Sequence, residues 1–265
     1  MNKPSSPAAD LATLRGRFGT REITTDHGSW GVVDTASAGS VVLLLPGVQG
    51  GGEIFYKVLF RLGGQHRLVA LTYPPVDTVV GLARGLVQVL DVLKHDRADL
   101  IGSSLGGLVA QFVAAESPER VRAVLLGNSF VDIGAIRHLP AFDSDVIAAT
   151  APVLLHQQRM NRIRTIEDCE LREALLELVG AQRPGHLSAN ALAVACAPAA
   201  PLIGESVEVT LLSCRDDPTV PEPMRAALEH RYPRARTVRL DRGGHYPHVT
   251  ATEDYAEALA GFLRR

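Results

Sequence analysis

The feature that most constrains the fold is a series of short, continuously β-prone and apolar runs. The first run, residues 40–45, reads Ser-Val-Val-Leu-Leu-Leu and stops at Pro46. Similar runs follow at residues 67–73, 98–101, 121–126, 207–213 and 237–240. A strand that is apolar on both faces is buried between two helical layers, as in parallel sheets. The sequence therefore predicts an α/β fold with a mostly parallel sheet and helices on both faces.

Segments of helix length separate most of these runs, which suits the crossover connections of a parallel sheet. Helices are predicted at residues 53–62, 76–94, 105–116, 222–231 and 251–263. Two short strands, residues 21–25 and 29–33, come first and are joined around Asp26-His27-Gly28. The Pro-, Ser- and Ala-rich start of the chain, up to about Leu14, is expected to be poorly ordered.

One long interruption, residues 132–201, contains no convincing strand. Helix-like stretches lie at residues 146–164, 166–179 and 187–196. We interpret the interruption as a helical cap inserted after the sixth strand, since long decorative loops are uncommon and usually functional. The chain then divides into an N-terminal core segment (residues 1–131), the cap (residues 132–201) and a C-terminal core segment (residues 202–265). An ordinary long crossover with extra helices is the alternative.

A serine-containing turn, Gly102-Ser103-Ser104-Leu105-Gly106, stands between a predicted strand and a predicted helix. This G-x-S-x-G spacing places a serine on a sharp turn, and glycines flank it because the strained backbone leaves no room for neighbouring side chains. The turn aims the N-terminus of the next helix at the hydroxyl. Ser104 is therefore the candidate nucleophile. Ser103 fits less well because Ile101 and Leu105 stand where glycines are expected.

The candidate general base is His245, in the glycine-rich loop 241–247 that follows the last predicted strand. A histidine there can swing over the edge of the sheet and reach the serine. Folds that carry the serine turn place the partners in the chain order serine, acid, histidine, and His245 comes last. His248 is the competing residue.

The candidate acid is Asp217, in the loop directly after the predicted strand 207–213. A carboxylate there would hold one tautomer of the histidine and stabilise the imidazolium. Asp216 is the adjacent alternative. Asp132, just after the strand 121–126, is a second position, although it also suits the start of a helix near Ile133.

Backbone amides are the candidate oxyanion donors. One is Leu105, directly after the nucleophile. The other is expected in the glycine-rich segment 46–52, where we favour Val48, with Gln49 second. The segment lacks the spacing of either phosphate-binding glycine motif, which argues against a nucleotide site.

Composition excludes several classes of partner. The formal net charge is −2 and the isoelectric point is near 6.5, so no basic field exists to bind nucleic acid. No apolar stretch is long enough to span a bilayer, and the start of the chain lacks the apolar core of a secretory signal. Three cysteines without close spacing argue against a disulfide framework or a zinc cluster and favour buried, reduced thiols in a cytoplasmic protein.

From Val41 onward the chain resembles an α/β-hydrolase, most closely maspardin and its bacterial relatives. The segments that carry the resemblance are Tyr73-Pro74, the serine turn with Gly107, Asn128-Ser129-Phe130 with Asp132, residues 232–236 (Tyr-Pro-Arg-Ala-Arg), and residues 243–247 (Gly-Gly-His-Tyr-Pro). The resemblance implies the α/β-hydrolase fold. Maspardin carries an asparagine where the base is expected, which suits a non-catalytic adaptor. This chain has His245 at that position, so the adaptor role does not carry over with the resemblance.

The leading hypothesis is a serine hydrolase with a Ser104, His245 and Asp217 triad, acting on a small carboxylic ester or related acyl compound. Hydrolysis of a carbon–carbon bond by the same triad and a non-catalytic binding protein are the alternatives, because a fold does not dictate a reaction. The sequence implies neither a metal nor an organic cofactor, and it does not indicate an oligomeric state. The cap is expected to supply an apolar acyl pocket, and its candidates, each equally suited to plain helix packing, are Leu154, Leu155, Met160, Leu176 and Leu178.

Overall fold

The computed structural model describes residues 6–49 and 51–264. Within these residues eight strands form one sheet: β1 Arg21–Thr25, β2 Gly28–Asp34, β3 Val41–Leu45, β4 Arg67–Thr72, β5 Ala98–Ser103, β6 Val121–Gly127, β7 Glu208–Cys214 and β8 Arg236–Leu240. Their order across the sheet is β1-β2-β4-β3-β5-β6-β7-β8. The pairs β1/β2 and β2/β4 are antiparallel, and the other neighbours are parallel. The predicted α/β architecture is confirmed.

The helices are, in chain order, α1 Pro7–Phe18, α2 Tyr56–Leu62, α3 Val79–Val92, α4 Leu105–Glu116, α5 Ser144–Ala149, α6 Pro152–Arg164, α7 Cys169–Gly180, α8 Pro184–Ala195, α9 Glu222–Arg231, α10 Pro247–Thr250 and α11 Thr252–Leu263. The bounds of α4 and α9 match their prediction. Helix α3 begins later than expected because Thr78 caps it by accepting from the Gly81 amide. Among the residues that the structure describes, no helix is long and apolar enough to cross a membrane.

The central strands of the sheet are buried on both faces, whereas the edge strands β1 and β8 are largely exposed. Strand β3 shows why such a central strand is apolar throughout. Val41, Leu43 and Leu45 belong to one hydrophobic cluster, and Val42 and Leu44 belong to another on the opposite face. Helices α3, α4 and α9 contribute side chains to the first cluster, and α1, α2 and α11 contribute to the second. This alternation follows from the two-residue period of a strand.

Residues 7–14 belong to α1, so the expectation of a poorly ordered segment up to Leu14 is wrong for these residues. Ser6 caps α1, and Leu11 and Leu14, which lie on one helical face, are fully buried. Arg15 pairs with Glu53 at 2.8 Å and with Glu177 at 3.0 Å. Glu53 and Glu177 are far from Arg15 along the chain, and the composition of residues 1–14 gives no information about such contacts. Residues 1–5 lie outside the described residues.

The insertion between β6 and β7 consists of α5 to α8, and its described residues contain no strand. The predicted helix 146–164 is two helices, because Pro152 starts α6 afresh. The amide of Ala200 donates to the carbonyl of Val131 at 2.8 Å, so the two ends of the insertion meet. Helix α6 packs against α7 and α8.

Two of the three cysteines differ from the expectation of buried thiols. Cys214 is buried, whereas Cys169 and Cys196 are exposed, and all three thiols are free. Burial is the main cause that raises the pKa of Cys214 to about 12, which keeps this thiol protonated at neutral pH. A cytoplasmic location stays a prediction.

Candidate active site

Ser104 occupies the single-residue turn between β5 and α4. Its backbone has φ 54° and ψ −116°, a conformation that costs energy in a residue with a Cβ. The Ser104 amide donates to the Gly127 carbonyl at 2.9 Å, and the Ser129 hydroxyl donates to the Ser104 carbonyl at 2.9 Å. Neighbouring strands and side chains therefore hold the strained turn in place.

The glycines around Ser104 are required by close packing. A Cβ on Gly102 would overlap the backbone of Gly106, and one on Gly106 would overlap the carbonyl of Leu45. A Cβ on Gly107 would come within 2.5 Å of the Ser129 side chain. Helix α4 thus starts directly against the ends of β3 and β5, which places its N-terminus at Ser104.

His245 and Asp217 are hydrogen-bonded to each other. The Nδ1 atom of His245 lies 2.9 Å from Oδ2 and 3.1 Å from Oδ1 of Asp217, whose side chain is fully buried. Oδ1 of Asp217 also accepts from the amides of Thr219, at 2.7 Å, and Val220, at 3.2 Å. An ionised carboxylate only accepts hydrogen bonds, so this contact assigns the proton to Nδ1 and leaves Nε2 as a proton acceptor.

The carboxylate of Asp216 binds backbone amides of the histidine loop, residues 241–247. It accepts from the amides of Gly243, at 3.2 Å, and Gly244, at 2.8 Å. These glycines have φ values of 136° and 54°, which lie in the region that favours glycine. The neighbouring aspartates thus have different contacts: Asp217 meets the imidazole and Asp216 meets the loop.

Asn128 joins the two loops. This buried residue follows β6, and its Nδ2 donates to the Gly244 carbonyl at 2.8 Å while its Oδ1 accepts from the Cys214 amide at 2.9 Å. Its φ is 43°, which asparagine tolerates better than most residues. Sequence reasoning used Asn128 only within a family-like segment and missed this bridge.

The competing candidates for the acid, the nucleophile and the base have other positions and contacts. Asp132 is exposed, and its Oδ1 accepts from the Gly134 amide at 2.7 Å in a local turn. Ser103 is the last residue of β5. His248 is buried, with its ring centroid 4.8 Å from that of Phe55 and 5.7 Å from that of Tyr255. Burial is the main cause that lowers the pKa of His248 to about 3.

A cavity of about 430 Å³ contains both Ser104 and His245. Gly47 and Val48 line it as well, and a Cβ on Gly47 would lie 3.4 Å from Cβ of Ser104, so the loop after β3 touches the serine. The side chain of Gln182 holds this loop through a 3.0 Å hydrogen bond to the carbonyl of Gln49. Of the predicted oxyanion donors, Val48 lines the cavity with Ser104 and Leu105 follows Ser104 as the first residue of α4. That their amides bind an oxyanion stays a prediction. Gly50, within the same glycine-rich segment, lies outside the described residues.

A model of the alpha/beta hydrolase family matches residues 27–258. The chain belongs to the alpha/beta hydrolase family. Maspardin from Danio rerio is 26% identical over 84% of this chain and 75% of its own. A putative carbamate hydrolase, RutD, from Enterobacter cloacae is 23% identical over 84% of this chain and 91% of its own. The solved structure of an esterase from Thermogutta terrifontis superposes with a TM-score of 0.76 at 20% identity, over 92% of this chain and 98% of the esterase.

The pocket residues predicted from the sequence of this alpha/beta hydrolase are wrong. Leu154 is exposed, and Leu155 lines a separate small recess. Leu178 belongs to the hydrophobic cluster that α1, α2 and α11 also enter, and Met160 and Leu176 pack against this cluster. The insertion's apolar contribution to the Ser104 cavity comes instead from the segment before α5 and from α8, namely Ile136, Leu139, Ala141, Phe142, Ala191 and Val194.

Two arginines of α6, Arg159 and Arg162, also line the cavity of this alpha/beta hydrolase. They are three residues apart, so they share one face of the helix. In the described residues, no group of three or more His, Cys, Asp or Glu side chains is placed to hold a metal ion.

Proposed function

We propose that this alpha/beta hydrolase is a serine hydrolase that cleaves a carboxylic ester or a related acyl compound. In this proposal Ser104 is the nucleophile, His245 is the general base and Asp217 orients His245. The observation that carries it is the 2.9 Å contact between Nδ1 of His245 and the buried carboxylate of Asp217, beside a cavity that also contains Ser104. A buried acid that holds a base, in one cavity with a strained serine, is the set of groups that activates a hydroxyl.

The proposed reaction has two halves. The Oγ atom of Ser104 attacks the carbonyl carbon while Nε2 of His245 accepts its proton, and the amides of Leu105 and Val48 donate to the oxyanion. The tetrahedral intermediate collapses, and the leaving alcohol takes the proton from His245. Water then attacks the acyl group on Ser104, with His245 again as base, and the acid is released with the serine restored.

The insertion would act as a cap in this scheme. We propose residues 132–201 for that unit, supported by the contact between its ends at Val131 and Ala200 and by its contribution to the walls of the cavity. Closing a reaction site on its open side excludes water and strengthens the hydrogen bonds to the oxyanion. The RutD relative is named for carbamate hydrolysis and the Thermogutta protein for ester hydrolysis, and both names describe acyl transfer to water.

A binding role without catalysis is the second candidate, favoured by the similarity to maspardin. A purely binding role does not explain why His245 is hydrogen-bonded to the buried carboxylate of Asp217. Hydrolysis of a carbon–carbon bond would use the same three residues, but its leaving group is a carbon atom that must take up a proton.

Covalent labelling with a fluorophosphonate probe tests the proposal, because an activated serine reacts readily and an ordinary one does not. We expect the wild-type protein and Ser103→Ala to be labelled and Ser104→Ala to stay unlabelled, with circular dichroism showing that all three are folded. Turnover of p-nitrophenyl esters of increasing chain length should follow the same pattern. A folded wild-type protein that neither labels nor turns over any ester would favour the binding role.

A further inference from the structure

Arg159 brings a cation into the cavity of Ser104. Its side chain is partly buried and lines the same space as Ser104 and His245. Among the described residues it forms neither an ion pair nor a side-chain hydrogen bond, whereas arginines such as Arg15 and Arg67 are paired with carboxylates. An arginine does not lose its charge in a protein, so the guanidinium brings an uncompensated positive charge to the site.

No carboxylate of the described residues lines the cavity beside Arg159; the other charged side chain there is Arg162. Burial lowers the pKa of Arg159 from its usual value, Tyr246 offsets this to some extent, and Arg162 lowers it further. A charge held in such surroundings is costly until an anion meets it.

Carboxylates do occur in an adjoining opening that Arg159 and His245 also line, but two of them are engaged elsewhere. Asp168 caps α7 by accepting from the Leu171 amide at 2.8 Å, and Asp216 accepts from the amides of the histidine loop. The third, Glu167, is exposed to solvent. The fold therefore leaves Arg159 available to a ligand.

We propose that the substrate is an ester that also carries a carboxylate, and that Arg159 binds this carboxylate while Ser104 attacks the ester. The inference rests on the proposed serine hydrolase and adds the class of its substrate. The planar guanidinium matches a carboxylate with two parallel hydrogen bonds. The apolar wall of Ile136, Phe142 and Val194 accommodates a hydrocarbon body between the two groups.

The test compares matched esters with and without the negative charge. One pair is 4-acetoxybenzoate and its neutral methyl ester, which differ on the alcohol side. The other is monoethyl suberate and ethyl octanoate, which differ on the acyl side. We expect the wild-type protein to favour the charged member of at least one pair in kcat/KM by about tenfold or more, the range of one charge-assisted hydrogen bond.

Arg159→Gln should lower this preference, as a ratio of kcat/KM values, by about tenfold or more. Arg164→Gln is the matched control, since it removes the same charge from the same helix at an exposed position outside the cavity, where Arg164 bonds to Asn161. The control should keep the preference. A wild-type protein that hydrolyses the members of both pairs equally well, or an unchanged preference in Arg159→Gln, would overturn the inference.

Binding separates this inference from the proposed function. Calorimetry on Ser104→Ala measures the affinity for 4-hydroxybenzoate and for suberate without any turnover. We expect at least one of the two to bind, and adding Arg159→Gln to weaken that binding by about tenfold or more. If no ester is hydrolysed in a Ser104-dependent manner, the hydrolase proposal fails while this loss of binding still supports Arg159 as an anion site. Equal affinities in the single and double variants, or no binding of either carboxylate, would overturn it.

Discussion

Nδ2 of Asn128 donates a hydrogen bond to the carbonyl oxygen of Gly244 at 2.8 Å, next to the histidine of the candidate site. The same side chain accepts from the Cys214 amide at 2.9 Å, at the start of the loop that contains Asp217. Asn128 thus ties together two loops that α9 and β8 separate along the chain. The distance between the imidazole and its carboxylate depends on where these loops sit relative to each other.

Asn128→Gly should lower kcat about 10- to 100-fold, because small misplacements of a catalytic group are costly. Glycine adopts the φ of 43° without strain, so this variant removes the side chain and keeps the backbone. Labelling by a fluorophosphonate should slow in parallel, and circular dichroism checks that the variant is folded. Wild-type kcat in the folded variant would show that the bridge does not position the pair.

Asp217→Asn and Asp132→Asn distinguish the two positions for the acid. Asp217 contacts Nδ1 of His245 and is buried, whereas Asp132 is exposed and bonded within its own turn. We expect Asp217→Asn to lower kcat roughly 10⁴-fold, as loss of the orienting acid does in serine proteases, and Asp132→Asn to lower it about tenfold or less. Both variants are measured on one ester substrate. The reverse ranking would remove Asp217 from the triad and leave Ser104 and His245 in place.

His248 should make the fold less stable in acid. Burial lowers the pKa of this imidazole to about 3, against about 6.5 in an unfolded chain. The unfolded state therefore binds an extra proton between these values, so the stability is complete above about pH 6.5 and falls as the pH drops toward about 3. The loss approaches about 1.4 kcal/mol per pH unit.

His248→Phe removes this titration. Neither ring nitrogen of His248 has a hydrogen-bond partner among the described residues, so phenylalanine gives up no such contact there. Urea unfolding at about pH 7 and about pH 4.5 should show the free energy of unfolding of the variant rising relative to wild type by about 2 to 3 kcal/mol at the lower pH. A constant difference between the two proteins would mean that His248 is protonated in the folded state.

Gly106→Ala should destabilise the protein although alanine favours helices. The new Cβ would overlap the carbonyl of Leu45, and backbone atoms cannot move aside as a flexible side chain can. We expect a loss of about 2 to 3 kcal/mol in the free energy of unfolding. Gly185→Ala in α8 is the control, because among the described residues no atom outside its own helix backbone and chain neighbours lies within 4 Å of its Cβ position, and it should be neutral or slightly stabilising. Equal stability of the two variants would contradict the packing argument.

The layered fold and the chain positions of the candidate residues could be predicted from the sequence. An apolar run such as that of β3 indicates a strand buried on both faces, and this inference needs only the residues of the run itself. Ser104, Asp217 and His245 each follow a predicted strand, and the C-terminal ends of parallel strands lie at one edge of a sheet. Topology alone therefore brings their loops to the same side, and the structure places Ser104 and His245 in one cavity.

The contacts within the site were decided by the tertiary structure. Asn128 bridges segments that are 86 and 116 residues away, and Arg159 reaches the cavity of Ser104 from a separate helix. The order of α1 likewise depends on Glu53 and Glu177. The rotation of α6 points Arg159 into the cavity and Met160 away from it. Such contacts depend on helix orientation and packing between distant segments, and residue spacing along the chain carries no signal of either.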